Sequence, residues 1–210
     1  MAKAVLDRLG AAVGLLALAP LLLLVAVAIV LDDGFPVLFR QIRVGRGGRP
    51  FRLWKFRSMR RNAAGPRITT GRDPRITRAG AWLRRYKIDE LPQLWNVLVG
   101  ELSLVGPRPE VPAFVDPADP VWQGVLAVKP GITDPASLAY RQEEQMLAGA
   151  PDPEHYYREV LLPAKLALNL EYLRTRSFWR DLRLIIRTLQ ACISPHERTT
   201  IHTVQPTHHR

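Results

Sequence analysis

The pattern of hydrophobic and polar positions divides the chain into one long apolar segment and a much more polar remainder. From Leu9 to Leu31 no residue is charged and nearly all are apolar, and the run is long enough to cross a bilayer as a helix. Pro20 lies near its middle, where it removes one helical hydrogen bond and clashes with the carbonyl of Leu16. The pattern therefore predicts a membrane-embedded helix over residues 1–33 that is broken at Pro20.

Three topologies are open for this segment. A cleaved signal peptide is the least favoured, because the run is longer than a usual signal core and a strongly basic sequence follows it. Lys3 and Arg8 precede the run, so basic residues flank both of its ends and the positive-inside rule draws both toward the cytoplasm. That favours a re-entrant helix, which dips into one leaflet and returns. Proline kinks are common in spanning helices, so the residues alone leave a spanning helix equally open.

Two strand-like runs follow, at residues 35–44 and 50–59, and the glycine-rich linker at 45–49 is typical of a turn. Every charged residue from Gly34 to Arg72 is Lys or Arg, so the predicted β-hairpin is strongly basic. Such a surface attracts phosphate groups, whether in lipid headgroups, nucleic acid or a phosphorylated small molecule.

The rest of the chain predicts helices between proline-rich loops. Thr77 is a candidate N-cap for a helix over 79–86, residues 111–129 are expected to be irregular, and the pattern is helical from 152 to 190. The last helical stretch combines an apolar stripe with arginines, so it is suited either to the membrane surface or to core packing. The stripe consists of Phe178, Leu182, Ile185, Ile186 and Leu189.

These elements predict an α+β fold in a monotopic membrane protein, with a small basic β-hairpin and surrounding, partly interfacial amphipathic helices. We expect residues 34–192 to form one cytoplasmic catalytic domain and residues 193–210 to form a polar, disordered tail.

Composition narrows the class of ligand. The chain has 30 Lys and Arg against 19 Asp and Glu, a net charge of +11. The single cysteine, Cys192, excludes an internal disulfide and fits a reducing compartment. No Cys and His spacing typical of a zinc site is present.

The strongest candidate for chemistry is the adjacent pair Asp89 and Glu90, which follows the cations Arg84, Arg85 and Lys87. We expect Asp89 to cap a helix that runs to Gly100, and the helix dipole and cations to keep its carboxyl ionised and attract phosphate. An anionic carboxylate beside a phosphate site can be a nucleophile or a metal ligand. For the pair alone, a capped helix with a solvated basic flank is the simpler interpretation.

Arg108 lies between Pro107 and Pro109, which stiffen the backbone around it. A rigidly held guanidinium suits bidentate recognition of phosphate, although such a loop can also simply end a strand.

Five segments follow one another along the chain: 55–59 (KFRSM), 73–80 (DPRITRAG), 89–98 (DELPQLWNVL), 100–110 (GELSLVGPRPE) and 129–133 (KPGIT). Each alone is a weak signal, but together and in this order they are highly specific, and the chain resembles the bacterial sugar transferase family, the monotopic phosphoglycosyl transferases. The resemblance covers about residues 5–190.

The resemblance implies a reaction and a site. Family members transfer a sugar 1-phosphate from a UDP-sugar to a polyprenyl phosphate with Mg²⁺, at the start of lipid-linked glycan assembly for exopolysaccharide, O-antigen or glycoprotein. The resemblance makes Asp89 the nucleophile, which forms a phosphosugar intermediate as UMP leaves, and makes Glu90 its partner in metal or proton handling. Both carboxylates are the implied metal ligands. The implied phosphate- or substrate-binding residues are Lys55, Arg57, Arg84, Arg108 and Arg141.

The same resemblance places the protein in the bacterial inner membrane with its catalytic domain facing the cytoplasm. The expected partners are the UDP-sugar, the polyprenyl phosphate and membrane lipids, without nucleic acid, and a homodimer is left open. The segment 134–140 departs from the family pattern, which puts sugar or nucleotide specificity in doubt rather than the reaction type.

Two other functions are weighed against this one. A membrane-anchored basic module would bind anionic lipid or nucleic acid without catalysis, but two carboxylates in its basic centre would bring it no advantage. Direct sugar transfer without the phosphate would release UDP instead of UMP.

Overall fold

The computed structural model describes residues 2–61, 63, 65, 68–70 and 73–193. It is a mixture of helices and small sheets, as expected for an α+β fold, and the predicted tail lies almost wholly outside the described residues. The helices are α1 (Ala2–Asp33), α2 (Arg78–Arg85), α3 (Gln93–Val99), α4 (Pro120–Leu126), α5 (Pro135–Ala139), α6 (Glu143–Ala148), α7 (Pro153–Tyr156), α8 (Leu162–Thr175) and α9 (Phe178–Ile193). The strands are β1 (Leu38–Val44), β2 (Pro50–Phe56), β3 (Ser103–Val105) and β4 (Gly131–Thr133).

The N-terminal apolar segment forms one helix, α1, which continues through Pro20. The expected break into two helices is therefore wrong. A proline removes a single hydrogen bond, and a long apolar helix retains the others on either side. Among the described residues, α1 is the one helix long and apolar enough to cross a membrane. Most of its surface is exposed, and Leu16 and Pro20 both lie on that exposed part.

One side of α1 packs against the rest of the protein near both of its ends. Ala11 joins a core cluster with Leu53, Val97 and Leu102. Toward the other end, Val25 and Ile29 form a second cluster, with Phe56 and Leu83 as its other buried members. The helix therefore lies against the domain rather than projecting from it.

Strands β1 and β2 pair antiparallel, with Leu38 opposite Phe56 and Val44 opposite Pro50. The turn between them contains a 3-10 segment at Arg46–Gly48. Both strands are shorter than the predicted runs, and residues 57–59 leave the strand to approach α2.

The helix predicted after Thr77 is confirmed, because the Thr77 hydroxyl accepts a hydrogen bond from Gly80 N at 2.9 Å and caps α2. Gly80 is required for packing here, since a Cβ atom on it would lie 2.0 Å from Ser58 O. The predicted end of α3 is also confirmed, because Gly100 has a φ of 92° and terminates the helix.

Beyond α3, the parallel strands β3 and β4 pair Ser103 with Gly131 and Val105 with Thr133. Two predictions are corrected in this part of the chain. The region 111–129 is not irregular throughout, because it contains α4, and the atypical segment 134–140 contains α5. Prolines begin both helices, where the missing N–H group is tolerated.

The C-terminal helical prediction is confirmed, with a break between α8 and α9. Buried residues of α8 join the largest core cluster, which also contains Phe114, Trp122 and Leu147. Helix α9 buries Leu184 and exposes a stripe on its opposite side. The exposed stripe is Phe178, Trp179, Leu182, Ile186, Leu189 and Ile193.

Candidate active site

The two adjacent carboxylates lie in a tight turn between α2 and α3. Residues Ile88–Glu90 form a 3-10 turn, and Lys87 precedes it with a left-handed backbone at φ 57°. The expectation that Asp89 caps the following helix is wrong, since α3 begins at Gln93 and the residue at its N-cap is Pro92. The turn, and not a helix N-terminus, sets the direction of both carboxylates.

Glu90 is held by two cations. Arg108 donates to it from both terminal nitrogens, Nη1 to Oε2 at 2.9 Å and Nη2 to Oε1. Lys55 Nζ donates to Oε1 at 3.2 Å. Burial by itself would raise the pKa of Glu90, but the charges of Arg108 and Lys55 outweigh it and hold that pKa well below its ordinary value. Glu90 is therefore an anion that fixes the positions of both cations.

Asp89 has the opposite character. Burial raises its pKa, and the charge of Glu90 raises it further, while Lys55, Lys87 and Arg84 lower it by less. The neighbouring cations favour the ionised form, as expected, but the desolvation of a residue only 5% exposed outweighs them, so the pKa of Asp89 is raised rather than lowered.

One oxygen of Asp89, Oδ1, is buried and has no hydrogen-bond partner among the described residues. An unpaired buried acceptor is costly and calls for a specific explanation. A substrate, cation or proton that binds at this oxygen would provide one.

Arg84 also belongs to this site. Its charge acts on Asp89, and its Nη2 donates to Glu144 Oε1 of α6. Its Nε is buried without a partner among the described residues. Lys55, Arg84 and Arg108 thus lie near the carboxylate pair, and their expected phosphate-binding role stays a prediction; the sequence did not reveal Glu144.

Arg57 has a different environment. Its Nη2 donates to the carbonyls of Asp33 at 2.9 Å and Gly34 at 2.5 Å, and its Nη1 lies 2.8 Å from Asp33 Oδ2. The Arg57 guanidinium is therefore engaged by residues of the protein, and its contacts link the end of α1 to the end of β2.

Arg141 contacts the last turns of α9, where its Nη2 donates to the carbonyl of Ala191. This contact does not test the phosphate-binding role expected from the resemblance, which stays a prediction.

A buried polar network supports the loop that carries Arg108, and the sequence did not identify it. Arg43 donates to the carbonyl of Pro109 at 3.0 Å and lies 3.5 Å from Glu110. Glu110 also accepts a 2.5 Å hydrogen bond from the hydroxyl of Tyr157. The only signal in the sequence was that Glu110 follows Arg108 closely; its partners come from distant elements, so no periodicity could show them.

The atypical segment lies next to the same arginine. Asp134 is fully buried and caps α5, accepting from Ser137 N at 2.9 Å and from Ser137 Oγ at 2.7 Å. Its charge is among those that raise the pKa of Arg108. The departure from the family pattern therefore acts on a residue that contacts Glu90.

The residues present fit a magnesium ion that is shared with a substrate. Within the described part of the chain, no group of three or more His, Cys, Asp or Glu side chains could hold a metal. Mg²⁺ usually takes one or two protein carboxylates and completes its coordination with water and substrate phosphates. Asp89 Oδ1 offers a buried hard oxygen for this purpose, whereas both oxygens of Glu90 already accept hydrogen bonds from cations.

In this site, Asp89 has one oxygen without a hydrogen-bond partner among the described residues, and the charges of Lys55, Lys87 and Arg84 act on its carboxylate. Such a site can stabilise charge on a phosphoryl group while a carboxylate attacks it or binds its metal.

The family model described as "Bacterial sugar transferase" matches residues 1–195. Over 197 residues, the chain is 39% identical to a UDP-glucose:undecaprenyl-phosphate glucose-1-phosphate transferase of Caulobacter vibrioides. It is 42% identical over 197 residues to an undecaprenyl-phosphate glucose phosphotransferase of Komagataeibacter xylinus. It is 36% identical over 194 residues to a UDP-N-acetylgalactosamine-undecaprenyl-phosphate N-acetylgalactosaminephosphotransferase of Aeromonas hydrophila.

These matches cover about nine-tenths of the chain, 91%, 90% and 90% respectively. They cover 70% of the Caulobacter protein but only 35% and 43% of the other two. The shared part therefore corresponds to one portion of the longer relatives, and the sugars in their names differ.

Proposed function

The chain belongs to the bacterial sugar transferase family, and from that premise we propose that it transfers a sugar 1-phosphate from a UDP-sugar to undecaprenyl phosphate or a similar polyprenyl phosphate. The observation that carries the proposal is the buried, unpaired Oδ1 of Asp89 beside the Glu90–Arg108–Lys55 cluster. Relatives named for glucose and for N-acetylgalactosamine leave the donor sugar to experiment.

In the first step, Asp89 attacks the phosphorus that carries the sugar. A bond forms between its carboxylate oxygen and that phosphorus, the bond to the bridging oxygen breaks, and UMP leaves with the electron pair. In the second step, a phosphate oxygen of the polyprenyl phosphate attacks the same phosphorus and releases Asp89 as a carboxylate. The product is a polyprenyl diphosphate sugar.

The cations of this chain make the first step feasible, because an anion approaching a diphosphate meets strong repulsion. Arg108 and Lys55 are already fixed by Glu90, so they need little reorganisation when the donor phosphates arrive. Arg84 adds a third positive charge near the nucleophile. Arg141 remains a proposed substrate-binding residue from the resemblance.

Asp89 is the residue best placed to hold Mg²⁺, with Glu90 nearby, and the bound ion would neutralise negative charge on the donor diphosphate. Asp89 must be deprotonated to attack. The cations around it favour the anion, but burial raises its pKa, so the anion becomes more abundant as the pH rises.

The membrane topology that fits this reaction is re-entrant, at the cytoplasmic face of the bacterial inner membrane. Near the start of α1, Ser103 Oγ donates to Asp7 at 2.7 Å. At its end, Asp33 pairs with Arg57 at 2.8 Å. Since charged groups avoid the bilayer centre, contacts of both ends with one domain support a helix that enters and leaves the membrane on the same side. The exposed stripe of α9 supports a position for that helix in the membrane surface.

The deciding experiment incubates purified protein with Mg²⁺, undecaprenyl phosphate and a panel of UDP-sugars. The expected result is release of UMP with one or a few donors and a polyprenyl diphosphate sugar as the lipid product. Release of UDP would instead indicate direct sugar transfer, and no nucleotide release with any donor would favour a basic binding module.

A second measurement tests the intermediate. Donor labelled in its β-phosphate should label the protein when the acceptor is left out, and Asp89→Asn should abolish the label. Labelling that persists in the variant would assign the nucleophile to another residue.

A further inference from the structure

A second group of cations lies at the turn end of the hairpin. Arg46 and Arg49 of the β1–β2 turn, Gly100 after α3 and Lys129 before β4 line one surface cleft, called here the turn cleft. Lys55 is five residues along β2 from the turn, about 16 Å of extended strand. The turn cleft is therefore distinct from the carboxylate pair.

Two cations converge at Gly100. A Cβ atom on this glycine would lie 2.6 Å from Arg8 Nη2 and 3.4 Å from Lys129 Nζ. A side chain of any size at this position would displace them. Arg8, near the start of α1, thus lies beside a residue that lines the cleft and is a fourth cation at its edge.

The turn cleft contains more cations than acids. Glu101 also lines it, and Glu101 Oε2 accepts a hydrogen bond from Asn96 Nδ2 at 2.7 Å. Arg8, Arg46 and Lys129 form no ion pair with any residue that the structure describes. Like charges gathered without counterions repel one another, so an anion bound between them would be stabilised.

The position of Arg8 in the sequence indicates where this cleft lies relative to the membrane surface. The apolar run begins at the next residue, Leu9, so Arg8 lies where the embedded part of α1 meets the headgroups. Lys3 Nζ lies 2.7 Å from Asp181 Oδ2, which brings the start of α9 to the same end of α1. Trp179, beside it, is 73% exposed, and exposed tryptophan is typical of the membrane interface.

We propose that the turn cleft binds the phosphate of an anionic phospholipid headgroup in the leaflet that holds α1. Arg8, Arg46 and Lys129 supply the positive charge, and Arg49 borders the site. This lipid site orients the domain at the membrane surface. It depends on the embedding of α1 and not on sugar transfer, so its test uses no sugar donor.

The test measures lipid binding to the full chain in neutral detergent by native mass spectrometry. Phosphatidylglycerol and phosphatidylcholine of equal chain length are titrated separately, and a third series adds inorganic phosphate to the complex with phosphatidylglycerol. We expect tighter binding of phosphatidylglycerol, and a loss of about 30-fold in its affinity in the double variant Arg46→Gln/Lys129→Gln.

The matched control is Arg60→Gln/Arg61→Gln, which removes the same charge from exposed positions outside the cleft. The charge-conserving variant Arg46→Lys/Lys129→Arg should retain phosphatidylglycerol, which would show that the positive charge at these positions carries the binding.

Three results would overturn the proposal. One is equal affinity for the two lipids, and another is an equal loss in the cleft variant and the control. The third is complete displacement of phosphatidylglycerol by inorganic phosphate, which would indicate a free-phosphate site.

Discussion

The two ends of one basic hairpin use their cations differently. At the open end, Lys55 is partly buried and bound to Glu90, and Arg57 is buried and bound to Asp33. At the turn end, Arg46 and Arg49 are exposed. A buried cation must be paired, whereas an exposed one remains solvated until a partner arrives.

The basic composition of this region therefore does not indicate a single function. At the open end the positive charges are fixed by protein acids, one of which lies next to the proposed nucleophile. At the turn end they are available to a mobile anion. Four predictions test this division, in order of decreasing effect.

Replacing Asp89 with Asn should lower sugar-phosphate transfer by about 10³-fold or more, since it removes the proposed nucleophile while preserving shape. The measurement is UMP release at saturating donor, with circular dichroism to verify folding. A loss smaller than about tenfold would mean that Asp89 does not attack.

Arg108→Lys should lower kcat/KM by about 10²–10³-fold, because a lysine cannot donate from two nitrogens to Glu90 or orient a phosphate in the same way. The control is Arg49→Lys at the turn end, which should leave kcat in detergent within about twofold of wild type. Equal losses in both variants would contradict the division between the two ends.

The pH dependence should show that Asp89 must be deprotonated. Burial raises its pKa, so the acid limb of kcat/KM should lie above the ordinary aspartate value of about 4, with activity rising as the pH rises. Lys55→Gln removes a charge that lowers this pKa and should move the limb upward. Glu90→Gln removes a charge that raises it and should move the limb downward. Shifts in the same direction for both variants would rule out Asp89 as the titrating group.

The smallest effect on chemistry is expected for Arg57→Gln. It should lower the free energy of unfolding by about 1–3 kcal/mol through loss of the contacts with Asp33 and Gly34. The KM for the donor should stay within about twofold of the wild-type value, and a thermal unfolding curve measures the loss of stability. A large rise in KM without a loss of stability would instead indicate that Arg57 binds the donor phosphates.

Much of this protein could be read from local patterns. The apolar run, the two basic strands, the cap at Thr77 and the helix end at Gly100 depend on short-range rules, and the structure agrees with them. The Asp89–Glu90 motif and its neighbours could also be found, because residues 84–90 are adjacent in sequence.

Local sequence patterns were enough to identify the long apolar N-terminal helix, the family and the residues of the carboxylate pair. Only the tertiary structure decided that Glu90 is bound by Arg108 and Lys55, and that Asp89 is buried with a raised pKa. The physical reason is that desolvation and pairing depend on side chains brought together from distant parts of the chain. Composition counts such charges, but only packing determines which of them are buried and which acid each one meets.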